Sequence, residues 1–385
     1  MDVRVFDKSL NAVGVIDEMS SLVWTSRYFA VGEVKLLAPM TEHNKELLVS
    51  GNILVKHDEY IDYTDTDGNI WRRAAEITYV HYRKDEKGQE QIEAQGRFLA
   101  NWLNQRVITP QLALTGTVQT IVNTLINKNV GSGAAASRKF PSFVVLDQDN
   151  FGGSSVDYSN EALRLLGDEV KDMCQSGKLG YDILVCERTL EYGFYLYQGA
   201  NLESANSEGN PPCIFSRDYD NVNEQDYEND SNNVKNHIYV RGAADSDGNQ
   251  EIVEVDTEQL TGLGRKEVLV DATDISRQAE NSSGESVDIP TATYRAMLAQ
   301  RGTTELATMI ENYTFNSSVN IQSNLKYKED FDLGDRVTCI EKRWGITINS
   351  RITEITQTFE SGKTTIEATF GESAPTLLDK IKKVR

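Results

Sequence analysis

FSRDYDNVNEQDYENDSNNVKNHIYVRG, residues 215–242, decides how the chain is divided. It carries Asp218, Asp220, Glu224, Asp226, Glu228 and Asp230, and after Arg217 no basic residue follows until Lys235. A calcium loop places oxygens at alternate positions around a turn glycine, and this stretch lacks that spacing. A catalytic carboxylate pair has no better support, because 59 acidic residues make such pairs unavoidable by chance. The remaining reading is an acidic bend. Asn and Asp accept backbone donors in turns and tolerate left-handed conformations. Phe215 at one end, and Ile238 and Val240 at the other, can anchor such a link. It would carry the chain from one unit back into a strand framework.

Upstream, residues 1–96 read as short strands. Val3 and Val5, then Val13 and Val15, alternate at period two. VKLLAP (34–39) and NILVKH (52–57) are buried-strand runs, and Asp67-Gly68 and Lys87-Gly88 mark hairpin turns. The character changes near Gly96. Val118, Ile121, Val122, Leu125 and Ile126 trace one face of a helix that Thr117 can cap. A second helix is expected from about Asn160, with Leu163, Leu166, Val170 and Met173 inward, Ser159 at its start and Gly177 at its end. KLGYDILVCERTLEYGFYLYQG (178–199) reads as a hairpin, with Phe194 and Leu196 on one face and Tyr195 and Tyr197 on the other. Residues 97–212 therefore form a small α+β insert in a β-rich chain.

Downstream, strands return at 213–216, 236–242, 250–256 and 265–272, and the polar run at 276–290 reads as a surface loop. A helix follows, with Pro290 near its first position and Gly302 just past its end, while Leu306, Met309 and Ile310 continue helical spacing. Ile366, Ala368 and Phe370 then alternate after a turn at ESGK (360–363).

A length of 385 residues suggests two or more domains, and 39% hydrophobic residues can fill their cores. The net charge of -20 argues against nucleic-acid binding, which needs clustered Lys and Arg. Cys174, Cys186, Cys213 and Cys339 form no CxxC pair, and only four His are present, so neither a zinc site nor a disulfide framework is expected. Free thiols suit a reducing cytoplasm. The first residues read as folded strands rather than a secretory signal, and no run approaches the ~20 apolar residues of a membrane span.

ADSDGNQEIVE (244–254) puts Asp245, Asp247, Gly248 and Glu254 at EF-hand-like positions, but Ala243 stands where the first ligand belongs. A hairpin turn is the better reading there and in DYTDTDGN (62–69). The chain has no G-x-S-x-G, no complete phosphate loop and no H-E-x-x-H. No catalytic, cofactor-binding or metal-binding residue is assigned, and enzymatic activity is not expected. Arg97, Arg106, Arg265, Lys266 and Arg336 read as strand-edge and domain-interface salt-bridge partners. In DFDLGDRV (330–337), Gly334 permits positive φ and Asp335 can bond nearby amides, so a turn feeds a strand there.

Taken in order, six segments carry a resemblance: residues 5–39, GRFLANWLNQRVI (96–108), 215–242, GLGRKEVLVDATDIS (262–276), YKEDFDLGDRVTCIEKRWGI (327–346) and 350–383. The chain resembles the Gp37-like family of siphophage and prophage tail proteins and, more distantly, baseplate hub proteins. That resemblance implies a β-rich α+β fold in four parts. They are an N-terminal β-barrel-like domain (1–96), an inserted α+β domain (97–212), a β-rich segment with a helix returning to the barrel framework (213–302), and a C-terminal β-barrel-like domain (303–385). It further implies a structural tail-tip or baseplate hub, a homotrimer whose six barrels form a ring. The ring would join a hexameric tail tube or distal tail protein to a central spike, tip or tape-measure protein. DNA would pass only in transit, through an acidic lumen that repels it. Arg97, Arg106, Arg265, Glu267, Gly334 and Asp335 are the expected structural or interface residues. The chain would reside in a virion or in a phage-tail-like bacteriocin, assembled in the bacterial cytoplasm. Some relatives carry a C-terminal peptidase or lysozyme, and none is expected after TLLDKIKKVR. Two alternatives stay open: a receptor- or carbohydrate-binding tail-tip protein using the Tyr192–Tyr197 hairpin, and a tail-associated cell-wall hydrolase.

Overall fold

A computed structural model describes residues 1–371 except 85, 87, 110–111, 148, 160–162, 246–247, 281–285, 321–322 and 361. It divides into two compact units, Met1–Asp226 with Phe315–Gly371, and Tyr227–Thr314.

The strand Ile53–His57 shows why part of the sequence reads as an unbroken apolar run. Leu54 faces one core with Val3, Val5, Trp24 and Ile77. Ile53 and Val55 face another with Leu99, Leu125 and Phe194. A strand covered on both faces has no polar side to alternate with. This strand pairs with Asp2–Phe6 and with Ile70–Lys84. From Ile70–Lys84 the antiparallel ladder runs through Glu90–Phe98 and Glu33–Pro39 to Ser21–Arg27. Ser21–Arg27 then pairs with Ile346–Glu360, which also binds Lys363–Gly371.

The first and last parts of the chain therefore share one sheet, and among the described residues no sheet closes into a barrel. This corrects the expectation of two barrels. The free edge of Ser21–Arg27, which an N-terminal barrel would need for closure, is occupied from Arg27↔Glu354 to Ser21↔Glu360. Val13 and Val15 lie in a strand, as their alternation suggests, and both are exposed. Their strand, Ala12–Ile16, pairs with Asp2–Phe6, and Ile16 is its one fully buried residue.

Residues of the expected insert pack on the same sheet. Thr117 caps the helix Val118–Asn129 through the Thr120 amide, and Ile121, Val122, Leu125 and Ile126 are buried. The second helix runs Leu166–Gly177 and buries Leu166 and Val170. It starts later than expected. Asn160 lies outside the described residues, and Leu163 is exposed at φ 66, a conformation no helix can use. The hairpin Gly180–Cys186/Glu191–Tyr197 forms as expected and docks on Ile70–Lys84 at Leu184↔Arg73 and Val185↔Arg72.

In the second unit, His237–Ala244 is flanked by Gln250–Asp256, antiparallel, and Glu267–Ala272, parallel. The helix Thr291–Thr308 covers one face, and Ile238, Val240, Tyr294, Leu298 and Leu306 make the core. Gly302 is inside this helix rather than past its end. A Cβ there would lie 2.9 Å from Val240 and 3.0 Å from Val255, so glycine serves a close approach of helix to sheet. The 276–290 segment also holds a short ladder, Gln278–Glu280 with Ser286–Asp288.

The acidic stretch is a connection. Ile214–Ser216 lies parallel to Arg336–Glu341, and the Phe215 ring sits 5.1 Å from Phe331 and 4.9 Å from Phe370. Asp220 takes the left-handed conformation at φ 54. The strand Val222–Asp230 then leads to His237–Ala244. Ile214–Ser216 and Val222–Asp230 belong to the large sheet, and His237–Ala244 to the sheet of the second unit.

Candidate functional site

Three charges interrupt apolar strand runs: Lys56 in NILVKH, Arg73 in IWRRAAEI and Asp182 in GYDILVC. All three are buried. A buried charge must be paired and hydrogen-bonded or it destabilises the fold, and these are. The Arg73 guanidinium donates to Asp62, to Asp182 at 3.1 Å and to the Tyr197 hydroxyl at 3.1 Å. Its backbone amide also donates to Asp62, at 2.8 Å. Lys328 adds a second cation, 3.5 Å from Asp62 and 2.9 Å from Asp332. Lys56 pairs with Asp58 and Gln357 and lies within 6.0 Å of the Trp24, Tyr60 and Phe359 ring centres. The enclosed space left among these groups is about 10 Å³, room for one water at most.

The electrostatics follow from burial and partners. Burial pushes the Asp182 carboxyl up to about 7, against the pull of Arg73. Burial raises Asp62 as well, but Arg73 and Lys328 outweigh it and hold that carboxyl well below the usual range. Burial alone would lower Arg73, and its two carboxylate partners keep it firmly protonated. Burial lowers Lys56 despite Asp58. These charges come from separate parts of the sequence: 56–73, 182–197 and 328–357. The network therefore clamps the opening strands, the hairpin and the C-terminal segment together.

A second junction lies nearby in the same unit. The Tyr28 hydroxyl donates to Lys178 O at 2.8 Å, and its ring is 5.3 Å from that of Tyr197. Gly334, at φ +99, lies so close to the Tyr28 ring that any Cβ would collide with it. Asp335 accepts from the Ala200 amide and the Asp332 amide, both at 2.7 Å, and burial pushes it up to about 6. Arg351 stacks on Tyr28 at 5.0 Å and donates to Gly334 O.

The residues expected from the sequence fall in several places. Arg97 forms an exposed pair with Glu33 at 3.2 Å on the neighbouring strand. Arg106 lies over Phe140 at 5.1 Å and donates to Gln105 O. Arg265 and Glu267 pair with each other in the second unit, where Arg265 also reaches His237 and Tyr239. Arg336 binds Glu203 at 2.5 Å. Arg265 pairs with Glu267, and Gly334, Asp335 and Arg336 lie together, while Arg97 and Arg106 stand apart from both groups. The buried network was missed, although a lone charge inside an apolar run was its visible signal.

The Tyr192–Tyr197 hairpin offers no exposed platform. Tyr192 is buried and donates to Lys8 O, and Tyr195 stacks on Tyr197 at 5.3 Å. The described residues around Asp65 and Asp245 bond alike. Asp65 and Asp245 each accept the amide of the Asn four residues on at 2.8 Å, and Gly68 and Gly248 have positive φ, while Asp247 lies outside the described residues. Among the described residues no three His, Cys, Asp or Glu side chains converge as a metal would require. The four cysteines are buried and free. No helix among the described residues is long and apolar enough to cross a membrane.

Comparison with known proteins gives a consistent answer. The profile of one family, described as Siphovirus ReqiPepy6 Gp37-like protein, matches residues 2–372. A search of curated proteins returns no match. Among solved structures, the chain is similar to a tail protein from Neisseria meningitidis MC58, at 16% identity, 96% of each chain covered and TM-score 0.54. It is similar to prophage tail protein gp18 from Listeria monocytogenes EGD-e, at 13% identity, 100% and 98% covered and TM-score 0.52. It is also similar to the 43 kDa tail protein of prophage MuSo2 from Shewanella oneidensis, at 11% identity, 96% and 98% covered and TM-score 0.55.

Proposed function

The chain belongs to the Siphovirus ReqiPepy6 Gp37-like family of phage tail proteins, and from that premise we propose that it is the structural hub of a tail tip or baseplate. In this reading three copies form a ring, with the tail tube or distal tail protein on one side and a spike, tip or tape-measure protein on the other. Three copies around one axis would present a closed three-fold ring to the spike or tip. The four segments 1–96, 97–212, 213–302 and 303–385 are proposed as its functional parts. Arg97, Arg265 and Glu267, which lie at the surface, are proposed for contacts with neighbours. Gly334, Asp335 and Arg106 are proposed to act within the subunit.

The observation that supports a scaffold is the buried clamp of Arg73, Asp62, Asp182 and Lys328. It commits several charges to joining distant chain segments, and the enclosed space among them is about 10 Å³. Such rigidity suits a part that transmits load between tube and tip. The proposed role is non-enzymatic, with residence in the virion or tail-like particle after assembly in the bacterial cytoplasm. Cryo-electron microscopy of particles carrying a tagged chain tests this reading. Three copies at one end of the tube are expected; copies spaced along the tube, or none in the particle, contradict it. A cell-wall zymogram of the purified chain should show no clearing.

A further inference from the structure

The acidic stretch borders an open groove of about 530 Å³ in the first unit, a size ordinary for small-ligand sites. Its apolar part comes from Pro212, Ile214 and Leu325, and its polar part includes Tyr219, Asp220 and Asn324. Two asparagines in the lining are structural. Asn221 accepts from the Ser216 amide at 2.9 Å and donates to Ile214 O at 2.8 Å. Asn320 donates to Asp220 O at 2.8 Å. These bonds fix the backbone and help hold Asp220 at φ 54. The Asp220 carboxylate and the Asn324 amide are exposed, and neither has a hydrogen-bond or ion-pair partner among the described residues. Tyr219 is 55% exposed, so its ring is open to a ligand.

The chemistry of the groove selects among ligands. Among the described residues it contains no cation, and the nearby Lys342 is bound by Asp218 at 2.6 Å. A phosphate or other anion would find no counter-charge. The apolar patch is small and interrupted, which does not suit a greasy ligand. A free carboxylate accepts hydroxyl donors, a free carboxamide both donates and accepts, and an aromatic face takes C–H groups. Neutral sugars present those features in alternation. We propose that this groove binds one end of a neutral oligosaccharide, with Tyr219 as the stacking ring and Asp220 and Asn324 as the hydroxyl partners. The groove shares no lining residue with the clamp and does not depend on the hub reading.

Saturation-transfer NMR on the full chain tests the proposal, with chitotriose, maltotriose and, as a basic control, trilysine. At least one trisaccharide should receive saturation, with a Kd of about 1 mM, typical of a shallow site. Tyr219→Ala and Asn324→Ala should each weaken that binding by about tenfold or more, a difference of about 1.4 kcal/mol. Both side chains are exposed, so the melting temperature should not move. Asp220→Asn keeps the shape and should weaken the same trisaccharide. Transfer to neither trisaccharide overturns the proposal. So does sugar binding untouched by all three variants, or binding of trilysine alone.

Discussion

Asp62 and Asp182 share the Arg73 guanidinium but face opposite costs. Asp62 has two cations beside it, whereas Asp182 has one and is the less exposed of the two; each also accepts a backbone amide, from Arg73 and from Ile183. Their consequences for pH differ in sign. The carboxyl of Asp182 sits at about 7 in the folded protein, against 3.8 in its absence. The folded state then holds the extra proton between those values. Its stabilising contribution is complete below pH 4 and is lost as pH rises through about 7. Asp335, at about 6, acts in the same direction over a narrower window. Asp62 acts oppositely, but only below about pH 4, where its unfolded form takes up a proton. The melting temperature should therefore fall between pH 5 and pH 8, and Asp182→Asn should flatten that slope by about 2–4 kcal/mol of stability across the window. Parallel curves for parent and variant would show that Asp182 stays ionised throughout. Asp62→Asn should cost about 3–5 kcal/mol at pH 7, because it strips a buried cation of its main partner; chemical denaturation measures it. Gly334→Ala should cost about 2 kcal/mol or more, since it combines positive φ with a collision against Tyr28. A melting temperature equal to the parent's would refute that. The Gly334 turn was readable from LGD in the sequence. Its ring neighbour was not, because Tyr28 lies some three hundred residues away in the chain.

Local patterns carried the helices and hairpins well where one face is buried. Thr117, Ile121, Val122, Leu125 and Ile126 describe the helix Val118–Asn129 completely. The Asp-Gly turns and the Gly180–Tyr197 hairpin were equally legible. Patterns were less decisive where a residue type has two uses. Val13 and Val15 lie in a strand, as their alternation suggests, yet both are exposed. Glycine ends many helices, but Gly302 sits where the helix Thr291–Thr308 meets Val240, Val255 and Ile238. The two roles predict opposite effects of substitution. If Gly302 were an ordinary helix position, a larger residue would gain about 1 kcal/mol in propensity. At a close approach, Gly302→Leu should instead lose about 1–3 kcal/mol through overpacking. A lower midpoint in urea is expected; a higher one would mean that helix and sheet are not in contact at this glycine.

The joining of the two ends of the chain was beyond any local pattern. Ser21–Arg27 and Ile346–Glu360 are each recognisable as strands, but nothing in either names the other as partner. Assigning them to separate closed barrels satisfied the need to cover sheet edges. The single shared sheet satisfies it differently, with each segment covering the other's edge. A chain ending after Glu341 should therefore fail to fold, losing the protected amides of Ser21–Arg27 in hydrogen exchange; an intact N-terminal sheet would contradict the shared ladder. What the sequence did convey, through the order of its segments, was membership of a tail-protein family, and the fold and family profile agree on that. The hub proposal goes further and concerns copy number. Light scattering on the purified chain, alone and mixed with its tube and spike partners, measures that directly. A particle of three times the 43.1 kDa chain mass is predicted, formed either alone or on a partner. A stable dimer, or a single copy that persists with both partners present, would contradict a three-fold hub.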